Sequence, residues 1–166
     1  DNTGHVIIRQ ATFNACNVSN MNLSAIENST FTANSNSYGL TIERVENVRF
    51  LGLNLDDTQP PVVIRGGGSL SFSPSPTETN FNLVGYHGIS LSGLFSLSGS
   101  LINVDLTNAD LVNAVFVDAN GKIIAYGPSA IYQLFKEKGY DFSRYPIPYL
   151  TQVYEQDKTQ SISETD

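Results

Sequence analysis

An apolar residue at every fifth position is the feature of this chain that most restricts its fold. Ala11, Cys16, Met21, Ile26 and Phe31 form one such series, and Phe13, Val18, Leu23 and Ala33 form a second, broken only by Asn28. A helix repeats every 3.6 residues and a strand every two, so neither gives a clean five. Two apolar residues separated by one polar residue point the same way along a short extended piece. The chain then turns a corner and the pattern resumes on the next wall. Four such walls close a square coil. Coils stack through backbone hydrogen bonds, and the interior becomes a column of apolar side chains.

The period returns around the text NVDLTNADLVNAVF, with Leu101, Leu106, Leu111 and Phe116 running beside Val104, Ala109, Ala114 and Ala119. The segments ATFNA-CNVSN-MNLSA and VDLTN-ADLVN-AVFVD resemble pentapeptide-repeat proteins, whose units run small residue, Asp or Asn, Leu or Phe, polar, any. The best unit is Ala109-Asp110-Leu111-Val112-Asn113, and the resemblance covers about a third of the chain. It implies an all-β fold: a right-handed parallel β-helix, or pentapeptide-like solenoid, capped by a short C-terminal helix. The expected layout is a β-helix over 1–125, with repeats at 11–35, 45–57 and 99–121. A C-terminal helix and extended capping segment follow over 126–158, then a disordered tail or linker over 159–166.

The middle of the chain departs from strict fives. Residues 62–101 alternate in short runs (VVIR, LSFS, FNLV, GISLSG, FSLSGS) broken by Gly and Pro, as in an irregular parallel β-helix of the pectin-lyase-like sort. Pro60-Pro61 and the run Ser73-Pro74-Ser75-Pro76-Thr77 read as loops leaving the coil. Val48, Leu51 and Leu53 imitate a leucine-rich repeat, but Asp56 stands where that repeat needs Asn, and no second copy appears. A helix is expected from Pro128 to Lys138, with Pro in its first turn, the stripe Ile131, Leu134, Phe135, and Gly139 as its stop. Pro146 and Pro148 are expected to hold the next segment extended. Solenoids expose an apolar column at each end, and this helix with Tyr140, Phe142 and Tyr145 supplies a C-terminal cap. Ile102, Val112, Val115 and Val117 fall at outward positions, so something is expected to cover them.

Charge and cysteine content narrow the function classes. The formal net charge is −7, which disfavours direct binding to a nucleic-acid backbone; an acidic face suits a basic partner or simply keeps the domain in solution. The single cysteine, Cys16, excludes a disulfide framework and a cysteine-built zinc site. No stretch approaches a membrane span, and no signal-peptide pattern is present. The chain opens at Asp1 without Met, which reads as a processed product or an excised piece of something longer.

Candidate chemistry is sparse. Cys16 falls in the inward series, where a free thiol behaves as a small hydrophobe. Asp105 and Asp110 occupy the slot between inward residues and are expected to face solvent on adjacent walls, without pairing. Asp56-Asp57, before a Pro-rich stretch, offers carboxylates for Ca²⁺ or for acid–base work, with turn formation as the simpler role. His87, in a Gly-flanked turn beside Tyr86, reads as a surface histidine; a general base needs a partner carboxylate that sequence does not place. Gly66-Gly67-Gly68 lacks the Lys-Ser/Thr of a phosphate loop and reads as a turn. Asn17, Asn22 and Asn28 begin Asn-x-Ser/Thr triplets, which arise readily in so Asn- and Ser-rich a chain. The absence of Trp weighs against a carbohydrate cleft, although Tyr can substitute.

These readings assign no catalytic, cofactor-binding or metal-binding residue. The expected function is a non-catalytic protein-interaction or scaffold module with a protein partner, no nucleic acid and no membrane span. The resemblance implies part of a larger bacterial effector-like protein, secreted into a host cell. The acidic DNA mimics of the same family need more regular repeats than these. The alternative is a glycan-binding or glycan-cleaving β-helix. Partner, subunit number and localisation are not legible.

Overall fold

The computed structural model describes residues 6–14, 16–32, 35–51, 53–54, 60–72 and 86–165. They form a parallel β-solenoid of about four turns followed by two helices. The first turn carries β1 (Ile7–Arg9), β2 (Thr12–Phe13) and β3 (Asn22–Leu23). The second carries β4 (Ala25–Phe31), β5 (Ser35–Asn36) and β6 (Thr41–Ile42); the third β7 (Val45–Phe50), β8 (Leu53–Asn54) and β9 (Val63–Ile64). Then come β10 (Gly68–Phe72), β11 (Ser90–Ser98), β12 (Asp110–Val117) and β13 (Ile123–Tyr126). Helices α1 (Pro128–Glu137) and α2 (Pro148–Thr165) close the chain.

Each strand lies parallel to its equivalent one coil away. One wall stacks β1, β4, β7, β10 and β11 in that order; another stacks β3, β6, β9 and the start of β11. Coil length shows in the side-chain partners. Arg9 reaches Glu27 after 18 residues, Asn47 reaches Asn28 after 19, Arg65 reaches Glu43 after 22, and Ser92 reaches Arg65 after 27. Register nevertheless holds, because a one-residue slip would turn the buried column outward.

That column is the core. Leu23, Ile42, Ile64, Leu91 and Leu111 run down one side, and Phe31, Phe50 and Phe72 down another, all buried. Phe13, Phe31, Phe50 and Phe72 form a ladder of near-parallel rings with centroids 4.5, 5.1 and 5.4 Å apart. Tyr86 closes the ladder edge-on to Phe72 at 4.9 Å, and its hydroxyl donates to the Phe50 carbonyl at 2.7 Å. The five-residue frame succeeds for Leu101, Leu106, Leu111 and Phe116, which are all buried, and fails for Met21, which is 37% exposed. A first coil of 18 residues is shorter than four units of five, so a strict frame drifts out of phase with the walls.

Asn28 breaks the frame for a definite reason. It sits at φ 53 and Asn47 at φ 56, both in the left-handed region, and the β4–β7 pairing steps over them. Asn tolerates this conformation better than other non-glycine residues. Their amides bond across the coils, Asn47 Nδ2 to Asn28 Oδ1 at 2.9 Å, so the corner is stacked as well as bent. At the equivalent corner of the next coil a Cβ on Gly68 (φ 133) would lie 1.5 Å from the Val45 carbonyl oxygen, so the glycine run packs backbone against backbone.

The cap works by imitating a further coil. Corner N–H groups donate to the next coil: Asn20 to Tyr38 O at 2.9 Å, Gly39 to Pro60 O at 3.0 Å and Gly88 to Thr107 O at 2.9 Å. In the last coil Asn108 donates to Pro146 O at 3.0 Å, Leu101 to Lys138 O at 2.8 Å, and Leu106 to the Tyr140 hydroxyl at 3.1 Å. The Tyr140 hydroxyl in turn donates a hydrogen bond to Tyr145 O at 2.6 Å. Burial pushes the Tyr140 phenol well above its ordinary range, so it stays protonated to do so. Ile131 and Phe135 of α1 reach the column, with Phe135 edge-on to Phe116 at 5.7 Å.

Three expectations need correction. Pro60-Pro61 stays on the coil, since both carbonyls accept the Gly39 N–H. The segment expected to be extended instead turns, with Tyr145 N–H donating to Asp141 O at 3.0 Å, and from Pro148 the chain is helical through Thr165, Pro148 taking the first helical position, where a missing N–H does no harm. Val115 and Val117 are flanked in-plane by β13, whereas Ile102 and Val112 stay exposed. The run Ser73 to Thr77 and the pair Asp56-Asp57 lie outside the described residues.

Candidate functional site

The corner between β10 and β12 gathers the most chemically capable groups. Tyr86, His87 and Gly88 turn one corner, and Asp105, Leu106 and Thr107 turn the next; Tyr86 N–H donates to Asp105 O at 2.8 Å. This places His87 Nε2 3.0 Å from Asp105 Oδ2, with both side chains mostly buried. The other carboxylate oxygen accepts the Thr107 N–H at 3.0 Å and the Thr107 hydroxyl at 2.5 Å. Asp-x-Thr forms such turns readily, because a short carboxylate folds back onto the backbone two residues on. Burial raises the affinity of the Asp105 carboxyl for its proton, but the bonds from His87 and Thr107 outweigh it and hold the carboxyl below its ordinary value.

Asp105 is therefore not a solvent-facing decoration. Histidine and carboxylate are two members of a nucleophilic triad, but the hydroxyl at hand belongs to Thr107 and donates to the carboxylate. The pair's geometry is that of a clamp between two coils. Asp110 does face solvent, its carboxylate accepting the Val112 N–H at 3.2 Å. Asn17 likewise forms a turn, accepting the Ser19 N–H and hydroxyl at 3.1 and 2.5 Å. Cys16 packs partly buried against the core, with Sγ 3.4 Å from the Asn14 carbonyl. Among the described residues no three His, Cys, Asp or Glu side chains converge as a metal site would require. No helix among them is long and apolar enough to cross a membrane.

Two surfaces remain. A cleft of about 510 Å³ opens between α1, α2 and the segment joining them, lined by Tyr132, Lys136, Tyr140, Asp141, Phe142 and Ser143 among others. Both faces of the Tyr132 ring are taken, by Phe142 at 4.3 Å and Tyr154 at 4.2 Å. The second surface is the outer face of the wall built by β11, β12 and β13. In the earlier coils this face is charged. Glu27 sits between Arg9 at 2.9 Å and Arg44 at 2.6 Å, with Glu46 one coil on. Further along it becomes apolar: Leu94, Val115 and Tyr126 stand side by side across three strands, and Val117 pairs with Ile123.

Sequence reasoning missed β13. The signal is present in VFVDANGKIIAY, two apolar runs around Asn120-Gly121, a strong hairpin marker. Asp118 secures the turn by accepting the N–H groups of Asn120 and Lys122, both at 2.9 Å. No protein-family model matches the chain, and neither a curated protein nor a solved structure gives a significant match.

Proposed function

We propose that this chain is a non-catalytic protein-interaction module. The observation that carries the reading is the apolar row Leu94, Val115, Tyr126 on an outer wall that is charged in the earlier coils. Exposed apolar patches are uncommon on soluble monomers, and they mark contact sites. A stacked solenoid adds rigidity, so little ordering entropy is lost on binding. The resemblance of VDLTN-ADLVN-AVFVD to pentapeptide repeats supports placing the module in a larger bacterial effector-like protein.

The test is affinity capture with the purified chain, followed by identification of the partner and measurement of binding by calorimetry. Binding is expected to fall at least tenfold in Leu94→Ser and Tyr126→Ser. A partner bound equally well by both variants refutes the assignment to this wall. The aromatic cleft between the helices favours a second reading, glycan binding, since its volume lies in the range of small-ligand sites. Saturable binding to a polysaccharide panel, lost in Lys136→Ala and Phe142→Ala, would establish that reading in place of the first.

A further inference from the structure

We infer that the partner of this wall is a second copy of the same chain, joined edge to edge through β13; this deepens the interaction-module reading and rests on it. Among the described residues β13 pairs with β12 alone, so its other edge carries unpaired backbone groups. Edge strands are normally guarded by charge, proline or a covering element. Here the strand reads Ile-Ile-Ala-Tyr, with Lys122 just before it as the nearest charged residue in sequence on that side. A register irregularity between Phe116 and Val117 brings Ile123 and Tyr126 to the same outer face, opposite Val117 and Val115, while Ala125 turns inward opposite Phe116. Leu94, Ile123, Ile124 and Tyr126 are between 49% and 74% exposed.

Area and symmetry both point to a copy of the chain. Those four side chains with Val115 and Val117 expose roughly 500 Å² of apolar-residue surface, the upper end for a monomer. A stable interface takes about 800 Å² from each partner. The patch supplies more than half of that, and a newly paired strand edge supplies much of the rest. Two β13 strands related by a two-fold axis run antiparallel, the pairing with the best ladder geometry, and close the assembly at two subunits. In that pairing Ile123 lies beside the other copy's Tyr126, which continues the apolar row across the axis. The two Lys122 residues fall at opposite ends, so the positive charges do not meet. The acidic residues that would repel between two chains of net charge −7 are absent from the strand itself.

The test is sedimentation velocity on the full chain from about 1 to about 100 μM, a range that reveals a micromolar Kd. The expected result is a species of twice the 18.1 kDa chain mass. Tyr126→Lys and Ile124→Lys, each with an unchanged far-UV circular dichroism spectrum, are expected to shift it to the monomer. Tyr126→Lys alone carries the test if Ile124→Lys fails to fold. A wild-type chain that stays monomeric throughout overturns the inference, as does a dimer that persists in the folded variant. A monomer that still binds a different protein through Leu94 and Tyr126 sinks this inference and leaves the interaction-module reading standing. A monomer whose partner binding ignores those residues sinks both.

Discussion

Truncating Phe50 should destabilise the solenoid far more than truncating Phe13, although the two rings occupy equivalent places in the third and first coils. Phe50 is fully buried, with rings stacked on both faces at 5.1 and 5.4 Å and Tyr86 edge-on at 6.4 Å. Phe→Ala at an enclosed site costs about 3–5 kcal/mol, and loss of two stacked partners places Phe50→Ala near the top of that range. Phe13 is half-buried and stacks on Phe31 at 4.5 Å. Half the burial gives about 2 kcal/mol for Phe13→Ala. With a urea slope near 2 kcal/mol/M, the midpoints should fall by about 2.5 M and about 1 M respectively. Phe50→Leu keeps an apolar side chain without the ring and should lose about 1–3 kcal/mol. Urea unfolding followed by far-UV circular dichroism measures all three, with an unchanged slope as the check on cooperativity. Equal midpoint shifts for Phe13→Ala and Phe50→Ala would refute the idea that enclosure by the coils above and below sets what each ring contributes to the column.

Other parts of the molecule make separate predictions. Tyr140→Phe removes the acceptor of the buried Leu106 N–H and should cost about 1–3 kcal/mol, with faster hydrogen exchange in the last coil as its local signature. Leu111→Asp puts an unpaired charge into the column and should prevent folding, whereas Asp110→Ala should cost under about 1 kcal/mol; equal tolerance on expression and thermal melting would contradict the inward and outward assignments. The Asp105 carboxyl titrates below its ordinary 3.8 in the folded chain, so its stabilisation is present above that value and lost as pH falls through the lower folded one. The Tm gap between wild type and Asp105→Asn should therefore close as pH falls below about 4.

The sequence made the fold legible wherever each wall contributes one unit of regular length. Leu101, Leu106, Leu111 and Phe116 satisfy that condition, and the α1 helix declared itself through Pro128, its apolar stripe and Gly139. Met21 was misplaced because the first coil is shorter than four units of five, and period counting has no means to detect a shortened corner. The His87–Asp105 pair was illegible because a contact between coils depends on coil length, which varies along this chain. Helix α2 gave little sign because its sequence carries no apolar stripe, so periodicity is silent there. Strand β13 was legible and overlooked: reading Asn120-Gly121 as a hairpin turn would have found the surface on which the functional proposal stands.

The spacing between stacked partners rises from 18 residues in the first coil to 27 between β10 and β11 and falls back to 20 where β11 begins to pair with β12, while the strands stay paired in parallel. The walls flanking residues 73–85 therefore stack without needing coils of equal length. A foreign epitope or reporter peptide grafted into that stretch should leave the scaffold's melting behaviour intact, which makes this solenoid a natural chassis for displaying sequences chosen by an engineer.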